Sequence, residues 1–188
     1  MLQQHSVRKY VTSKSAQMSG QAMQAFVTGR LAREIRPYLD DVLADYGVDS
    51  LNAGCWYPAQ LALDLYRRLA MDNRTSLQRM VSIGMQFVET AAWPDDVQTI
   101  YEALNSLNAV HRLNIRGCPP DEGFTAEWVG SQHIRVLDHC PYPHGIIYGF
   151  IYGIARSYAP AGSEPVVERT LLNPNHPDED GAFYTIRW

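Results

Sequence analysis

The sequence predicts an α+β fold in which an N-terminal layer of helices packs on a small antiparallel sheet near the C-terminus. Apolar residues recur at three- and four-residue steps through much of the first 115 residues, the spacing of a buried helix face. After the turn-forming residues 117–123, short strand-like segments alternate with turn signals. With 188 residues, 46% of them hydrophobic, the chain is long enough to bury a core.

The helical part begins after a polar start. Residues 1–19 lack sustained periodicity, so we expect a flexible tail followed by one sensor-like domain over residues 20–188. Pro37 should break or kink the first helix, and Trp93-Pro94-Asp95 should open the fourth. Gly84, in the third helix, either allows close approach of another backbone or is simply tolerated. The predicted helices cover residues 21–46, 58–71, 76–90 and 93–111.

Two antiparallel strand pairs are predicted in the last third of the chain. Residues 124–129 and 133–137 form a hairpin, because Gly130-Ser131-Gln132 has turn chemistry. Residues 146–158 follow as a buried helix that carries small glycines on its surface. Residues 166–172 and 182–188 form the second pair.

Composition and length exclude several classes of function. Twenty acidic and 16 basic residues give a formal net charge of −4, which argues against a protein-wide attraction to nucleic acid or anionic lipid. Three widely spaced cysteines without a CxxC motif fit a reducing compartment, so we expect a cytoplasmic protein. The most apolar stretch, residues 145–155, is too short to span a bilayer, and we expect no membrane span.

Familiar catalytic motifs are missing from the sequence. It contains no P-loop, GxGxxG, HExxH or GxSxG pattern, and no arrangement of acid, base or nucleophile supports an enzyme. His139, Cys140 and His144, with His133 or His111, offer nitrogen and sulfur donors for zinc. Adjacent residues ligate one ion awkwardly, however, so the sequence favours a polar loop there.

His111 and the aromatic residues are the candidates for a binding site. A neutral His111 at the end of the fourth helix could ligate iron or bind a buried ligand, although a histidine also suits a helix C-terminus. Aromatic side chains could line an apolar cavity, and at helical spacing they equally fill ordinary cores. The predicted pocket residues are Trp56, Tyr57, Phe87, Trp93, His111, Trp128 and Tyr148.

The order of several stretches carries a resemblance over about residues 20–188. These stretches are AFVTGRLAREIRPYL, YGVDSLNAGCWYPAQLALDLYRRLA, SLQRMVSIGMQFVE, FTAEWVGSQHIRVLDHCPYPHGIIYGFIYGIARSY and the terminal AFYTIRW. They resemble an uncharacterised bacterial domain family. That family is similar to a fold group joining haem nitric-oxide/oxygen-binding (H-NOX) sensors, 4-vinyl-reductase-type sensor domains and Bet3-type subunits of the TRAPP tethering complex. The resemblance implies helices wrapped on an antiparallel sheet around an interior that holds a small apolar or planar ligand.

Each branch of the fold group implies a different use of that interior. In the haem sensors a proximal histidine ends a helix ahead of the sheet, and His111 occupies the matching place; the Tyr-x-Ser-x-Arg motif that holds the haem propionates is replaced here by DHCPYPH. The vinyl-reductase-type sensors bind a structural zinc through cysteines; this chain has Leu171 and Ala182 there, so the resemblance implies no structural zinc. The Bet3-like branch needs no ligating residue and uses the fold for assembly.

The resemblance therefore implies a non-catalytic sensory module. It would enclose a small hydrophobic or planar ligand and signal by shifts of helix against sheet, as a homodimer or with a signalling protein partner. One alternative is a protein-assembly subunit with a vestigial pocket. A second is a haem-based gas sensor with His111 as the proximal ligand, the only metal role expected for that residue.

Overall fold

The computed structural model describes residues 8–71, 76–177 and 179–188, and it shows the predicted α+β fold. The helices are α1 (Gly20–Met23), α2 (Ala25–Thr28), α3 (Ala32–Asp45), α4 (Ala59–Met71), α5 (Ser76–Thr90), α6 (Ile100–Asn105), α7 (Leu107–Asn114) and α8 (His144–Tyr158). The strands are β1 (Gln17–Ser19), β2 (Trp56–Pro58), β3 (Ile115–Arg116), β4 (Gly123–Gly130), β5 (His133–His139), β6 (Val166–Leu171) and β7 (Ala182–Arg187). Among the described residues, no helix combines the length and hydrophobicity that a membrane span requires.

The first predicted helix is three helices, and neither interruption occurs at Pro37, which was expected to break or kink the helix. Pro37 lies inside α3, whereas the chain interrupts its helical course at residues 29–31, where Gly29 adopts an extended conformation. The chain starts α1 with a side-chain cap, because the Ser19 hydroxyl accepts a hydrogen bond from the Ala22 amide at 3.2 Å. Apolar spacing continues through all three segments, so the spacing alone did not reveal the breaks.

The fourth predicted helix begins at Ile100, and the prediction of a start at Trp93 is wrong. Thr99 and Glu102 form a capping box there: the Thr99 hydroxyl accepts from the Glu102 amide, and the Glu102 carboxylate accepts from the Thr99 amide. Backbone hydrogen bonds from Gln98 and Thr99 lower the pKa of Glu102. Pro94 therefore indicates the start of this helix less reliably than the capping box does.

The larger sheet confirms both predicted strand pairs and joins them. Its antiparallel order is β4-β5-β7-β6, with Ile134 of β5 opposite Ile186 of β7. A bulge interrupts the β4–β5 register between Trp128 and Gly130. One face of the central strands is buried in the hydrophobic core and carries Ile134, Val136, Tyr184 and Ile186.

Residues 8–19 do not form the expected tail, while residues 1–7 lie outside the described residues. β1 is the central strand of a second, three-stranded sheet, in which Met18 pairs with Tyr57 of β2 and Ile115 of β3. Ala16 and Met18 are buried, at 1% and 4% exposure. A strand of three residues gives too short a pattern to recognise in a polar segment.

A buried ion pair ties this N-terminal segment to the turn between β5 and α8. Lys9 Nζ lies 2.9 Å from Asp138 Oδ2, and neither side chain is exposed to solvent. The same ammonium donates to the Cys140 carbonyl at 2.7 Å, and Asp138 Oδ1 accepts from the Cys140 amide at 2.8 Å. The Tyr10 amide also donates to the Pro141 carbonyl at 2.7 Å. The segment and the turn therefore hold each other in place.

His144, the first residue of α8, makes stability depend on pH. Burial, reinforced by the charge of Lys9, lowers the pKa of His144 from 6.5 to about 4. Between these values the unfolded chain binds a proton that the folded chain does not, so the free energy of unfolding falls as the pH is lowered through this window. We expect His144→Gln to remove on the order of 1 kcal/mol of this decrease between pH 7 and 5, after allowance for solvent screening. Urea unfolding at both pH values measures it, and equal decreases in the two proteins would contradict it.

Glycines let the backbones of α5 and α8 come into direct contact. A β-carbon at Gly149 would lie 2.8 Å from Val81 Cα, and one at Gly84 would lie 2.9 Å from the Phe150 amide nitrogen. Of the two interpretations of Gly84, close approach is therefore the one observed. Because the glycine face of α8 rests on α5, the larger side chains of α8 point to other parts of the core.

Candidate functional site

A cavity of about 70 Å³ lies where the helical layer meets both sheets. Apolar cavities of about 150 Å³ in proteins stay dry and bind benzene or xenon, so this one has room for a ligand of a few non-hydrogen atoms. Its wall is almost entirely apolar and combines residues from β1, β3, β4 and five helices. The lining residues are Met18, Ala22, Tyr66, Phe87, Ala91, Val110, His111, Asn114, Ile115, Phe124, Tyr142, Ile146, Ile147 and Phe150.

Tyr66, one of the lining residues, carries an unsatisfied polar group. The side chain is fully buried, and its hydroxyl has no hydrogen-bond partner among the described residues. Burial raises the pKa of Tyr66 well above its ordinary value. Asn114, by contrast, is saturated: its amide group donates to the Ala92 and Val110 carbonyls, and its carbonyl oxygen accepts from the Ser19 hydroxyl and the Ala92 amide. Tyr66 thus offers a donor that a ligand could use.

His111 projects from α7 into a cluster with Cys118 and Glu122. Its Nε2 lies 3.3 Å from Glu122 Oε1 and 3.8 Å from Cys118 Sγ. The three donor atoms all lie within 4.8 Å of one another. The loop between β3 and β4 carries Cys118 and Glu122 back towards α7, starting from Gly117, whose φ of +72° suits glycine.

Arg112, the residue after His111, fixes that loop. One of its terminal nitrogens donates to Cys118 Sγ at 2.7 Å, and the other donates to the Pro120 carbonyl at 2.9 Å and to the Glu122 carbonyl. Burial, followed by the negative charge of Glu122, raises the pKa of the Cys118 thiol, and Arg112 opposes this effect. The cluster is therefore held from outside by a guanidinium group.

Two of the seven predicted pocket residues, Phe87 and His111, line the cavity. Trp93 lies outside the lining set. Its ring packs between Phe150 and Tyr158, with centroids 5.9 Å from each, and its indole nitrogen donates to a carbonyl at the end of α5. Phe150 does line the cavity, so Trp93 supports the wall from behind.

The other four predicted pocket residues lie away from the cavity. Trp128 is 46% exposed on β4, and Trp56 lies beneath the Arg116 guanidinium, 4.3 Å from the ring centroid. The Tyr57 hydroxyl bonds to the loop that precedes its own strand. Tyr148 stacks on the next turn of α8. These aromatics support the surrounding fold, as aromatics at regular spacing commonly do.

The structure gathers metal-type donors at a place the sequence did not indicate. Of the histidines and cysteine considered for zinc, Cys140 is buried with its thiol directed to the Gly123 carbonyl, and His144 Nε2 lies 2.9 Å from the Pro177 carbonyl. Among the described residues, the donors that converge are His111, Cys118 and Glu122. The sequence singled out His111, whereas the only signal for Cys118 and Glu122 was a Cys-Pro-Pro-Asp-Glu stretch shortly after the last helix of the N-terminal layer.

The haem that the family resemblance implies does not fit this arrangement. His111 Nε2, a nitrogen through which imidazole binds metals, is directed to Glu122 and Cys118. The cavity of about 70 Å³ is well below the roughly 300–1,000 Å³ of pockets for larger ligands. Its described lining includes no arginine or lysine that could meet two propionate groups.

Comparison with known proteins places the fold. No protein-family model matches the chain, and no curated protein matches its sequence. An H-NOX protein from S. oneidensis in the Fe(II)NO ligation state shares 11% identity, covering 90% of this chain and 98% of its own, with a TM-score of 0.64. A point mutant of the T. tengcongensis H-NOX shares 14% identity at 90% and 97% coverage, with a TM-score of 0.63.

A third solved structure agrees. An oxygen-binding H-NOX domain related to soluble guanylate cyclases, in its oxygen complex, shares 14% identity, covers 90% of this chain and 94% of its own, and gives a TM-score of 0.63. Identities this low establish similarity of fold alone. The chain has the fold of the H-NOX domains, as its sequence predicts.

Proposed function

We propose that the protein is a non-catalytic sensory module that encloses a small apolar ligand in its internal cavity. The observation that carries this proposal is the Tyr66 hydroxyl, fully buried and without a described partner in the side chain that lines the cavity. A buried hydroxyl without a hydrogen bond costs roughly 1–3 kcal/mol, so a partner is favoured. A ligand of a few non-hydrogen atoms that carries one acceptor atom would supply it.

The position of the cavity supports a sensory role. Phe87 of α5, His111 of α7 and Ile146 of α8 all reach its wall, so an occupant touches three helices and the sheets together. A ligand shifts such an arrangement only if it binds one packing better than another. Since α5 and α8 pack at backbone distance, a displacement of α8 passes directly to α5. A second copy of the chain or a cytoplasmic signalling protein would read this shift.

A haem-based gas sensor is the alternative to test against, although the cavity and the direction of His111 Nε2 do not fit haem. The similar solved structures include H-NOX proteins in Fe(II)NO and oxygen-bound states, and His111 lies in the cavity wall. An absorption spectrum and a native mass spectrum of the freshly purified protein separate the candidates. A colourless protein with an extra small apolar mass supports the proposal, whereas a Soret band that His111→Ala abolishes would establish a haem sensor.

If the purified protein is colourless and carries no extra mass, xenon binding tests whether the cavity can hold a ligand. Crystals under xenon pressure should show xenon beside Tyr66 and Phe87, because dry apolar cavities take up this atom. A protein that takes up no xenon and forms stable oligomers would instead support the assembly-subunit alternative.

Tyr66→Phe should stabilise the ligand-free protein by about 1 kcal/mol, because it removes a buried hydroxyl that makes no hydrogen bond. Tyr57→Phe is the matched control. The Tyr57 hydroxyl accepts from the Asn52 amide at 2.7 Å, so its removal should cost about 1 kcal/mol. Urea unfolding of both variants, after dialysis and with native mass spectra to confirm the absence of ligand, measures the difference. A loss of stability in Tyr66→Phe would contradict the prediction.

A further inference from the structure

We propose that His111, Cys118 and Glu122 form a binding site for one divalent metal ion of the zinc type. The site goes beyond the proposed ligand cavity and does not depend on it. A nitrogen, a thiolate sulfur and a carboxylate oxygen form a mixed donor set that suits zinc or cobalt and not the oxygen-seeking calcium and magnesium ions.

The spacing of the donor atoms suits a tetrahedral ion. Bonds of about 2.0 Å to nitrogen and oxygen and about 2.3 Å to sulfur place tetrahedral neighbours about 3.3 Å apart for N–O and about 3.5 Å for N–S. Nε2 of His111 lies 3.3 Å from Glu122 Oε1 and 3.8 Å from Cys118 Sγ. Both His111 distances therefore lie within a few tenths of an ångström of the tetrahedral values, and the three donor atoms all lie within 4.8 Å of one another.

Glu122 gives an independent indication that the site favours a cation. Glu122 is 7% exposed, and its Oε1 atom has no hydrogen-bond partner among the described residues. The approach of His111 Nε2 to 3.3 Å does not form a hydrogen bond. Removing a carboxylate from water without a compensating partner is costly, and a bound cation would compensate it.

The groups behind the ligands are those of a preorganised site. Arg112 donates to Cys118 Sγ and to the Pro120 and Glu122 carbonyls, which fixes both loop ligands before any ion arrives. Such outer contacts orient metal ligands and tune their affinity. Pro119 and Pro120 restrict the backbone between the two ligands further.

The charges also balance. On metal binding the Cys118 thiol loses its proton to solvent, so a thiolate and the Glu122 carboxylate together neutralise a divalent ion while His111 stays neutral. Three protein ligands leave a fourth position for water or a small ligand, as in open zinc sites.

Cobalt titration tests the site directly. The full chain is freed of metal with a chelator and titrated with Co²⁺, whose visible bands report tetrahedral geometry and whose near-ultraviolet band reports a cobalt–thiolate bond. We expect one ion per chain, displacement of cobalt by Zn²⁺, and a higher melting temperature with Zn²⁺. Absence of the thiolate band would overturn the proposal and leave His111 and Glu122 as a plain buried pair.

Variants locate the ion. Cys118→Ser should abolish the thiolate band, and Glu122→Gln, which keeps the side-chain size, should weaken cobalt binding at least tenfold. Cys55→Ser is the matched control, because Cys55 is an exposed free cysteine and its replacement should leave the spectrum unchanged. Circular dichroism confirms that each variant folds. A cobalt–thiolate band that survives Cys118→Ser would refute the site. Tyr66→Phe leaves the three ligands in place, so it should bind cobalt normally even if the cavity proposal fails.

Discussion

Asp138→Ala is expected to lower the free energy of unfolding by about 3–5 kcal/mol, because it leaves the Lys9 ammonium buried without a countercharge. The Cys140 amide, which donates to Asp138 Oδ1, would lose its acceptor as well. Urea unfolding followed by circular dichroism measures the loss. Since Lys9 belongs to the N-terminal segment, limited proteolysis near that residue should accelerate in the same variant.

An exposed ion pair provides the control. Arg36 and Asp40 lie one helical turn apart on α3 with 2.7 Å between Nε and Oδ1, yet both side chains are at least half exposed. Asp40→Ala should cost no more than about 0.5 kcal/mol. Equal losses for Asp40→Ala and Asp138→Ala would refute the energetic role of burial. The double variant Lys9→Met, Asp138→Leu should lose less stability than Asp138→Ala, because it leaves no charge unpaired.

Gly149→Ala should destabilise the protein by about 3 kcal/mol, the upper end of what overpacking costs. The added β-carbon would lie 2.8 Å from Val81 Cα, and backbone atoms of α5 cannot move aside as a flexible side chain can. Alanine favours an isolated helix over glycine by about 1 kcal/mol, so a net loss isolates the steric effect. Thermal unfolding monitored at 222 nm measures it.

Gly54→Ala is the control for this substitution. Its β-carbon would lie 3.5 Å from the nearest atom, Asn52 Oδ1, which is ordinary van der Waals contact. We expect a change within about 0.5 kcal/mol. A Gly149→Ala protein as stable as Gly54→Ala would show that α5 and α8 can separate without cost.

The sequence predicted those elements in which a residue pattern extends over many positions. α5 coincides with the predicted residues 76–90, and the hairpin of β4 and β5 follows from its turn chemistry. β1 was not predicted, because three residues in a polar segment are too few to show the alternation of a strand. The start of α6 was misplaced because its capping box is a local pair of hydrogen bonds that competes with a proline signal.

The candidate site could be predicted only in part, for a physical reason. His111 stood out as a histidine at the end of an apolar helix. Tyr66 gave no signal, because a hydroxyl without a partner becomes visible only when α4 is packed against the other elements. Cys118 and Glu122 lie in a stretch predicted to be a turn. The hydrogen bonds from Arg112 that hold this stretch against α7 cannot be predicted from the spacing of residues.

The central place of β1 has a consequence for how the protein is made. Met18 pairs with Tyr57 and Ile115, which follow it by 39 and 97 residues. At synthesis rates of about 5–20 residues per second, Met18 is synthesised roughly 5–20 s before its second strand partner. Until then Ala16 and Met18 remain open to other chains and to chaperones. Partners so distant in sequence slow folding, so yield in cells should depend on growth temperature more steeply than the stability of the finished fold does.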